Sequence, residues 1–99
     1  MSDDAFTGFA PPPFKATEAL AQIKRSLRDL KLAERGKGFD LRGKPVLELA
    51  LDDAQINVRI ARKLALTPEW DRLLVNSATS QRKLIDDIKR RLERWERED

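Results

Sequence analysis

Four basic residues recur at helical spacing in the first third of the chain. Lys24, Arg28, Lys31 and Arg35 follow i, i+4, i+7 and i+11, which places them along one narrow face of a helix. A row of cations can follow the phosphates of a nucleic acid, and such contacts make binding strongly salt-dependent. The same pattern is also typical of a solvated helix face. Nucleic-acid binding through these four residues is therefore one hypothesis.

The residue types needed for catalysis are largely missing. The chain has no His and no Cys, which removes the commonest general base, the commonest metal ligand and the thiol nucleophile. Asp52 and Asp53 are adjacent acids, but their setting favours a turn rather than a reaction centre. No phosphate-binding loop, dinucleotide fingerprint or calcium loop is present. We predict a protein that is not an enzyme, with no catalytic, metal-binding or cofactor-binding residues and no cofactor.

Aromatic residues are concentrated near the N-terminus. Residues 1–13 combine Phe6 and Phe9 with a triple proline and are predicted to form a poorly ordered arm. Alternatively, the arm is a docking peptide that inserts Phe6, Phe9 and Phe14 into a hydrophobic groove of a partner or of the chain itself. Trp95, near the other end, either covers the core or, if exposed, contacts a partner. These four aromatic residues are the candidate docking residues.

The stretch VLELALDDAQINVRI, residues 46–60, decides the fold class. As a helix it would spread its large apolar residues over two faces, whereas as two strands it places all of them on one face. Folding back at residues 53–54 pairs Leu51 with Ile56, Leu49 with Val58, Leu47 with Ile60, and Glu48 with Arg59. This predicts a β-hairpin. Because no Asn-Gly or Asp-Gly is present, a four-residue loop from Asp52 to Gln55 is expected.

Three helices are expected around this hairpin. A first helix capped by Thr17 runs to about Ala33, where Gly36 and Gly38 end it, and residues 39–44 form a loop. The segment Thr67-Pro68-Glu69-Trp70 predicts the start of a short helix that ends near Asn76. After a polar break at residues 77–80, apolar residues at helical spacing predict a C-terminal helix. The expected architecture is a small two-layer α+β sandwich, in the order α-β-β-α-α.

One segment supports a different interpretation. Residues 56–74, INVRIARKLALTPEWDRLL, locally resemble the helix-turn-helix of bacterial regulators, with Ile60-Ala61, Leu64 and Leu73-Leu74 at the apolar positions. The resemblance implies that residues 56–65 are helical and that the following helix reads DNA. It is incompatible with the hairpin register.

Length and composition limit the remaining alternatives. The chain has 99 residues and a net charge of +3, with 40% hydrophobic and 37% charged residues, which predicts one folded domain over residues 14–99. Neither a signal peptide nor a transmembrane segment is expected, so a cytoplasmic location without membrane contact is predicted. A monomer, with flanking helices and residues 37–44 covering the hairpin edges, is favoured over a homodimer. We predict a protein-protein interaction module, such as an adaptor, regulator or assembly component, with an unknown protein partner; nucleic-acid binding is the alternative.

Overall fold

The computed structural model describes residues 13–97. The fold is α+β, as predicted, but five consecutive strands lie between two helices, so the predicted order α-β-β-α-α is wrong in detail. The elements are α1 (Ala16–Asp29), β1 (Ala33–Arg35), β2 (Gly38–Leu41), β3 (Lys44–Asp52), β4 (Gln55–Ala61), β5 (Trp70–Val75) and α2 (Ala78–Arg97). The strands form one antiparallel sheet in the order β1-β2-β3-β4-β5.

The predicted hairpin is the centre of this sheet. The pairs Leu47–Ile60, Leu49–Val58, Leu51–Ile56 and Glu48–Arg59 all occur in the predicted register. The connection differs from the prediction, because Asp52 pairs with Gln55 and only Asp53 and Ala54 form the turn. Asp53 adopts a φ of 55°. Aspartate tolerates this left-handed conformation better than most residues, so the tight turn forms without glycine.

Residues 39–44 are not the predicted loop. They form β2 and a two-residue turn at Arg42 and Gly43, whose φ values of 54° and 78° match the twist of the flanking strands. β2 therefore pairs with the edge of β3 that β4 leaves open. This agrees with the expectation that residues 37–44 cover an edge of the hairpin. The helices, by contrast, cover a face of the sheet and not its edges.

The segment from Thr67 to Asn76 is not the predicted short helix. Residues 70–75 form β5, which pairs with β4 from Ala61–Trp70 to Ile56–Val75. A helix of this length is marginal on its own, whereas each residue of the strand gains a partner in the ladder. Because residues 55–61 and 70–75 are strands, the helix-turn-helix interpretation of residues 56–74 is wrong.

α1 ends earlier than predicted. The amide of Lys31 donates to the carbonyl of Arg28 at 2.9 Å, and the amide of Leu32 donates to the carbonyl of Leu27 at 3.1 Å. This pair of bonds is the Schellman arrangement, in which the residue just after the helix takes a left-handed conformation; Lys31 has a φ of 71°. The helix therefore stops at Asp29 instead of about Ala33. At its start Lys15, not Thr17, occupies the cap position, without a side-chain hydrogen bond.

α2 begins with a reciprocal cap. The amide of Ser80 donates to the hydroxyl of Ser77 at 3.1 Å, and the amide of Ser77 donates to the hydroxyl of Ser80 at 3.0 Å. Both helices pack on the sheet face that carries Leu47, Leu49, Val58 and Ile60, which we call the inner face. The core lies between these layers and consists of Ala16, Ala19, Ile23, Leu27, Leu32, Phe39, Val46, Leu47, Leu49, Ile56, Val58, Ile60, Ala61, Val75, Leu84, Ile88 and Trp95.

Leu49→Asp should unfold the protein. The Leu49 side chain is buried in the centre of the inner face, and an unpaired charge there costs more than a small domain can absorb. Ala50→Asp is the matched control, because Ala50 is exposed on the opposite face. Circular dichroism melts should show a cooperative transition for Ala50→Asp and none for Leu49→Asp. A Leu49→Asp protein that melts like wild type would mean that the inner face is wrongly assigned.

Candidate functional site

β5 is a strand with one free edge. The amide of Arg62 donates to the carbonyl of Glu69 at 3.0 Å, one step before the first pair of the β4–β5 ladder. Hydrogen-bonded pairs alternate along an antiparallel ladder, so Asp71, Leu73 and Val75 direct their backbone groups toward β4. The backbone groups of Trp70, Arg72 and Leu74 consequently point away from the sheet. Within residues 13–97 no strand pairs with this side of β5.

Two leucines make this edge apolar. Leu73 is 36% exposed and Leu74 is 44% exposed, and they lie on opposite faces of the sheet. On the inner side of the edge, a groove of about 530 Å³ separates β5 from α2. Leu73, Val75 and Leu84 form its apolar part. Its rim is charged and includes Lys83, Asp86, Asp87 and Arg90.

The opposite edge of the sheet is protected. β1 is only three residues long, and all three are exposed. From α1, Arg28 Nη1 lies 2.8 Å from Glu34 Oε1 and Lys24 Nζ lies 3.5 Å from Glu34 Oε2, so ion pairs flank this strand. Short edge strands and edge charges are two ways in which proteins prevent unwanted strand pairing. The edge of β5 is six residues long and carries two exposed leucines beside its charged residues Asp71 and Arg72.

An ionic network fixes α2 relative to β5. Asp71 Oδ2 lies 2.8 Å from Arg91 Nη1, and Asp71 Oδ1 accepts a hydrogen bond of 2.7 Å from Arg62 Nε. Arg91 also contacts Asp87 Oδ1 at 3.1 Å and donates to the carbonyl of Ala61 at 3.1 Å. The hydrogen bonds from Arg62 and then Arg91 lower the pKa of Asp71 below its ordinary value. These contacts join α2 to β5 beside the groove.

The other face of the sheet, which we call the outer face, is polar. Glu48 and Arg59 form the predicted cross-strand ion pair there, and the guanidinium of Arg59 lies 5.1 Å from the centre of the Trp70 ring. A shallow depression of about 520 Å³ extends over Ala50 and Asn57. No helix covers this face within the described residues. Arg59 is paired with Glu48 on this face, and Lys37 and Arg72 also line the depression.

The four basic residues of the predicted stripe do not share one helix face. Lys24 and Arg28 lie on α1 and both contact Glu34, whereas Lys31 occupies the left-handed position after the helix. Arg35 lies on β1, where its Nη2 is 2.8 Å from Asp40 Oδ2. Three of the four cations therefore have a carboxylate partner, and the row is interrupted where α1 ends.

The four candidate docking aromatics have different environments. Phe14 is half-buried against the core and lines a groove of about 570 Å³ between the starts of α1 and α2. Phe6 and Phe9 lie outside the described residues. Trp95 is 0% exposed and forms part of the core, which is the first of the two roles considered for it.

The β5 edge does not follow from the sequence pattern, because residues 67–76 carry a helix-start signal. A weaker signal was present: from Trp70 to Val75 alternate positions place Leu73 and Val75 on one face and Arg72 and Leu74 on the other. With Leu73 and Leu74 adjacent, however, this alternation is only partial. The free edge of β5 depends on the arrangement of the whole sheet. No local sequence pattern therefore marks it.

Comparisons with protein-family models, with curated proteins and with solved structures gave no match for this chain. Among the described residues, neither helix combines the length and the apolar character required to cross a membrane.

Asp71→Asn should reduce the acid sensitivity of folding. Because the pKa of Asp71 is lower in the folded state, its ionised form stabilises the protein above about pH 4, and this contribution is lost as the pH falls through the folded value. Urea unfolding followed from neutral pH to about pH 2 should therefore show a difference between wild type and Asp71→Asn that shrinks on acidification. Asp53→Asn, in the exposed turn, is the control. A difference that stays constant with pH would contradict the proposed network.

Trp95→Phe should destabilise the protein far less than Trp95→Ala. Trp95 Nε1 is buried without a hydrogen-bond partner among the described residues, so phenylalanine keeps an aromatic ring and removes an unsatisfied donor. Alanine instead leaves a large cavity, at a cost of about 3–5 kcal/mol. Chemical unfolding of the three proteins measures both effects. Equal losses for Phe and Ala would show that the indole nitrogen has a partner.

Proposed function

We propose that this chain is a non-enzymatic protein-protein interaction module that binds an extended segment of a partner along the free edge of β5. The observation that carries the proposal is the contrast between the two sheet edges. β1 is short and flanked by ion pairs, whereas β5 is longer, is unpaired on one side among the described residues and contains two exposed leucines. An exposed strand edge beside a groove is the arrangement used for strand addition.

The chemistry of such binding follows from the edge. An added antiparallel strand would exchange main-chain hydrogen bonds with Arg72 and Leu74, each contributing about 0.5–1.5 kcal/mol net. Alternate side chains of the added strand would enter the groove between β5 and α2. Burying one large apolar side chain there stabilises the complex by about 1.5–3 kcal/mol. The main chain thus supplies affinity and the groove supplies selectivity for apolar residues.

Such a module fits an adaptor, a regulator or an assembly component. The nucleic-acid alternative has less support, because Lys24, Arg28 and Arg35 already contact carboxylates. A phosphate would have to displace these partners before it could be bound.

Arg72→Pro should abolish binding of extended peptides. The amide of Arg72 points to the free edge, so proline removes a donor needed by an added strand and leaves the β4–β5 ladder intact. Arg72→Ala is the matched control, because it removes the same charge but keeps the amide. Peptides selected on the wild-type chain from a displayed library of random sequences should bind Arg72→Ala and lose binding to Arg72→Pro. Fluorescence polarisation gives the affinities.

Two results would refute the proposal. One is a library selection that enriches no peptide with alternating apolar residues. The other is equal binding of the selected peptides to wild type and Arg72→Pro. Thermal melts of both variants verify that the sheet remains folded.

A further inference from the structure

We infer that the segment that pairs with the β5 edge is β5 of a second copy of this chain, in an antiparallel and two-fold symmetric arrangement. The inference rests on the proposed function, since it requires that the edge accepts a strand. It specifies the partner and the register of pairing.

The charges of β5 select one register. Backbone groups directed to the free edge belong to Trp70, Arg72 and Leu74, so the two-fold axis must pass through one of the residues from 71 to 73 for these groups to meet. Centring on Asp71 places two carboxylates opposite each other, and centring on Arg72 places two guanidinium groups opposite each other. Like charges directly across a ladder are destabilising. Centring on Leu73 avoids both.

This register also buries side chains that are exposed in the single chain. Leu73 faces Leu73 of the second copy in a closely spaced, non-hydrogen-bonded pair, and both leucines become covered. The backbone of Arg72 exchanges hydrogen bonds with the backbone of Leu74 in the other copy. By symmetry, Leu74 does the same with Arg72 of the other copy. Leu73 lines the groove beside α2, so the paired leucines fill its apolar part from both sides.

The groove rim is compatible with self-association. Lys83 and Arg90 balance Asp86 and Asp87, so this rim carries no net charge and two copies meet without overall repulsion. The chain as a whole has a net charge of only +3. Joining the two five-stranded sheets gives a single ten-stranded sheet whose remaining edges are the two protected β1 strands. The arrangement is therefore closed and does not propagate into a fibre.

Cysteine cross-linking tests the register directly, because the chain contains no native Cys. At a non-hydrogen-bonded pair the Cα atoms lie about 4.5 Å apart, within the range for a disulfide, so Leu73→Cys should form a covalent dimer under mild oxidation. Leu74→Cys is the matched control. Its symmetry mates would be more than about 8 Å apart, beyond disulfide reach, so this variant should form no disulfide-linked dimer under the same oxidation.

Light scattering across a concentration series tests the association without cross-linking. Wild type and Arg72→Ala should approach twice the chain mass of 11.4 kDa as concentration rises, whereas Arg72→Pro should remain at 11.4 kDa. Circular dichroism of each variant verifies folding. Cross-linking of Leu74→Cys as fast as Leu73→Cys would overturn the register.

A different pattern of results separates this inference from the proposed function. If the wild-type chain stays at 11.4 kDa at every concentration, the second-copy inference is wrong. If library-selected peptides then still bind wild type and Arg72→Ala but not Arg72→Pro, the edge accepts strands of other proteins and the proposed function stands. If the wild-type chain stays monomeric and also binds no library-selected peptide, the proposed function is wrong as well.

Discussion

Cross-strand pairing of apolar side chains between β3 and β4 is the constraint from which the rest of this structure follows. Leu47, Leu49 and Leu51 face Ile60, Val58 and Ile56 on one side of the hairpin, and a shift by a single residue would turn all of them to the other side. β2 and β5 extend this inner face, and both helices cover it. The outer face is left polar, and the last strand added is left with a free edge.

The parts of the fold that were predictable from sequence have strong local periodicity. The alternation in residues 46–60 fixed the hairpin register, and apolar residues at helical spacing located α1 and α2. The ends of elements were harder, because α1 stops through backbone hydrogen bonds around Lys31 where no glycine marks the end. β5 was missed because Thr67 and Pro68 favour a helix start, whereas pairing with β4 outweighs this preference in the folded chain. The β5 edge could not be predicted at all, since it depends on which strand comes last in the sheet.

The two ends of the sheet use ionic contacts for different purposes. At β1, Glu34 binds two cations of α1, and the ion pairs shield the strand. At β5, Asp71 binds Arg62 and Arg91 on the inner side of the strand, and these contacts hold α2 in place while the backbone edge stays accessible. The same type of interaction therefore closes one edge and supports an open groove beside the other. An open edge whose strand is already formed suits strand addition, because little ordering of the chain is needed on binding.

The helical layer combines the first and the last elements of the described chain. Each strand pairs with its neighbour in sequence, so the sheet can assemble as the polypeptide leaves the ribosome. Its apolar side nevertheless stays half uncovered until α2 has been synthesised, because α1 alone cannot cover β5. A chain in translation would thus expose a partly covered apolar sheet face for the time needed to make α2. This topology therefore makes the interval before α2 is available the stage at which the chain is most prone to aggregation.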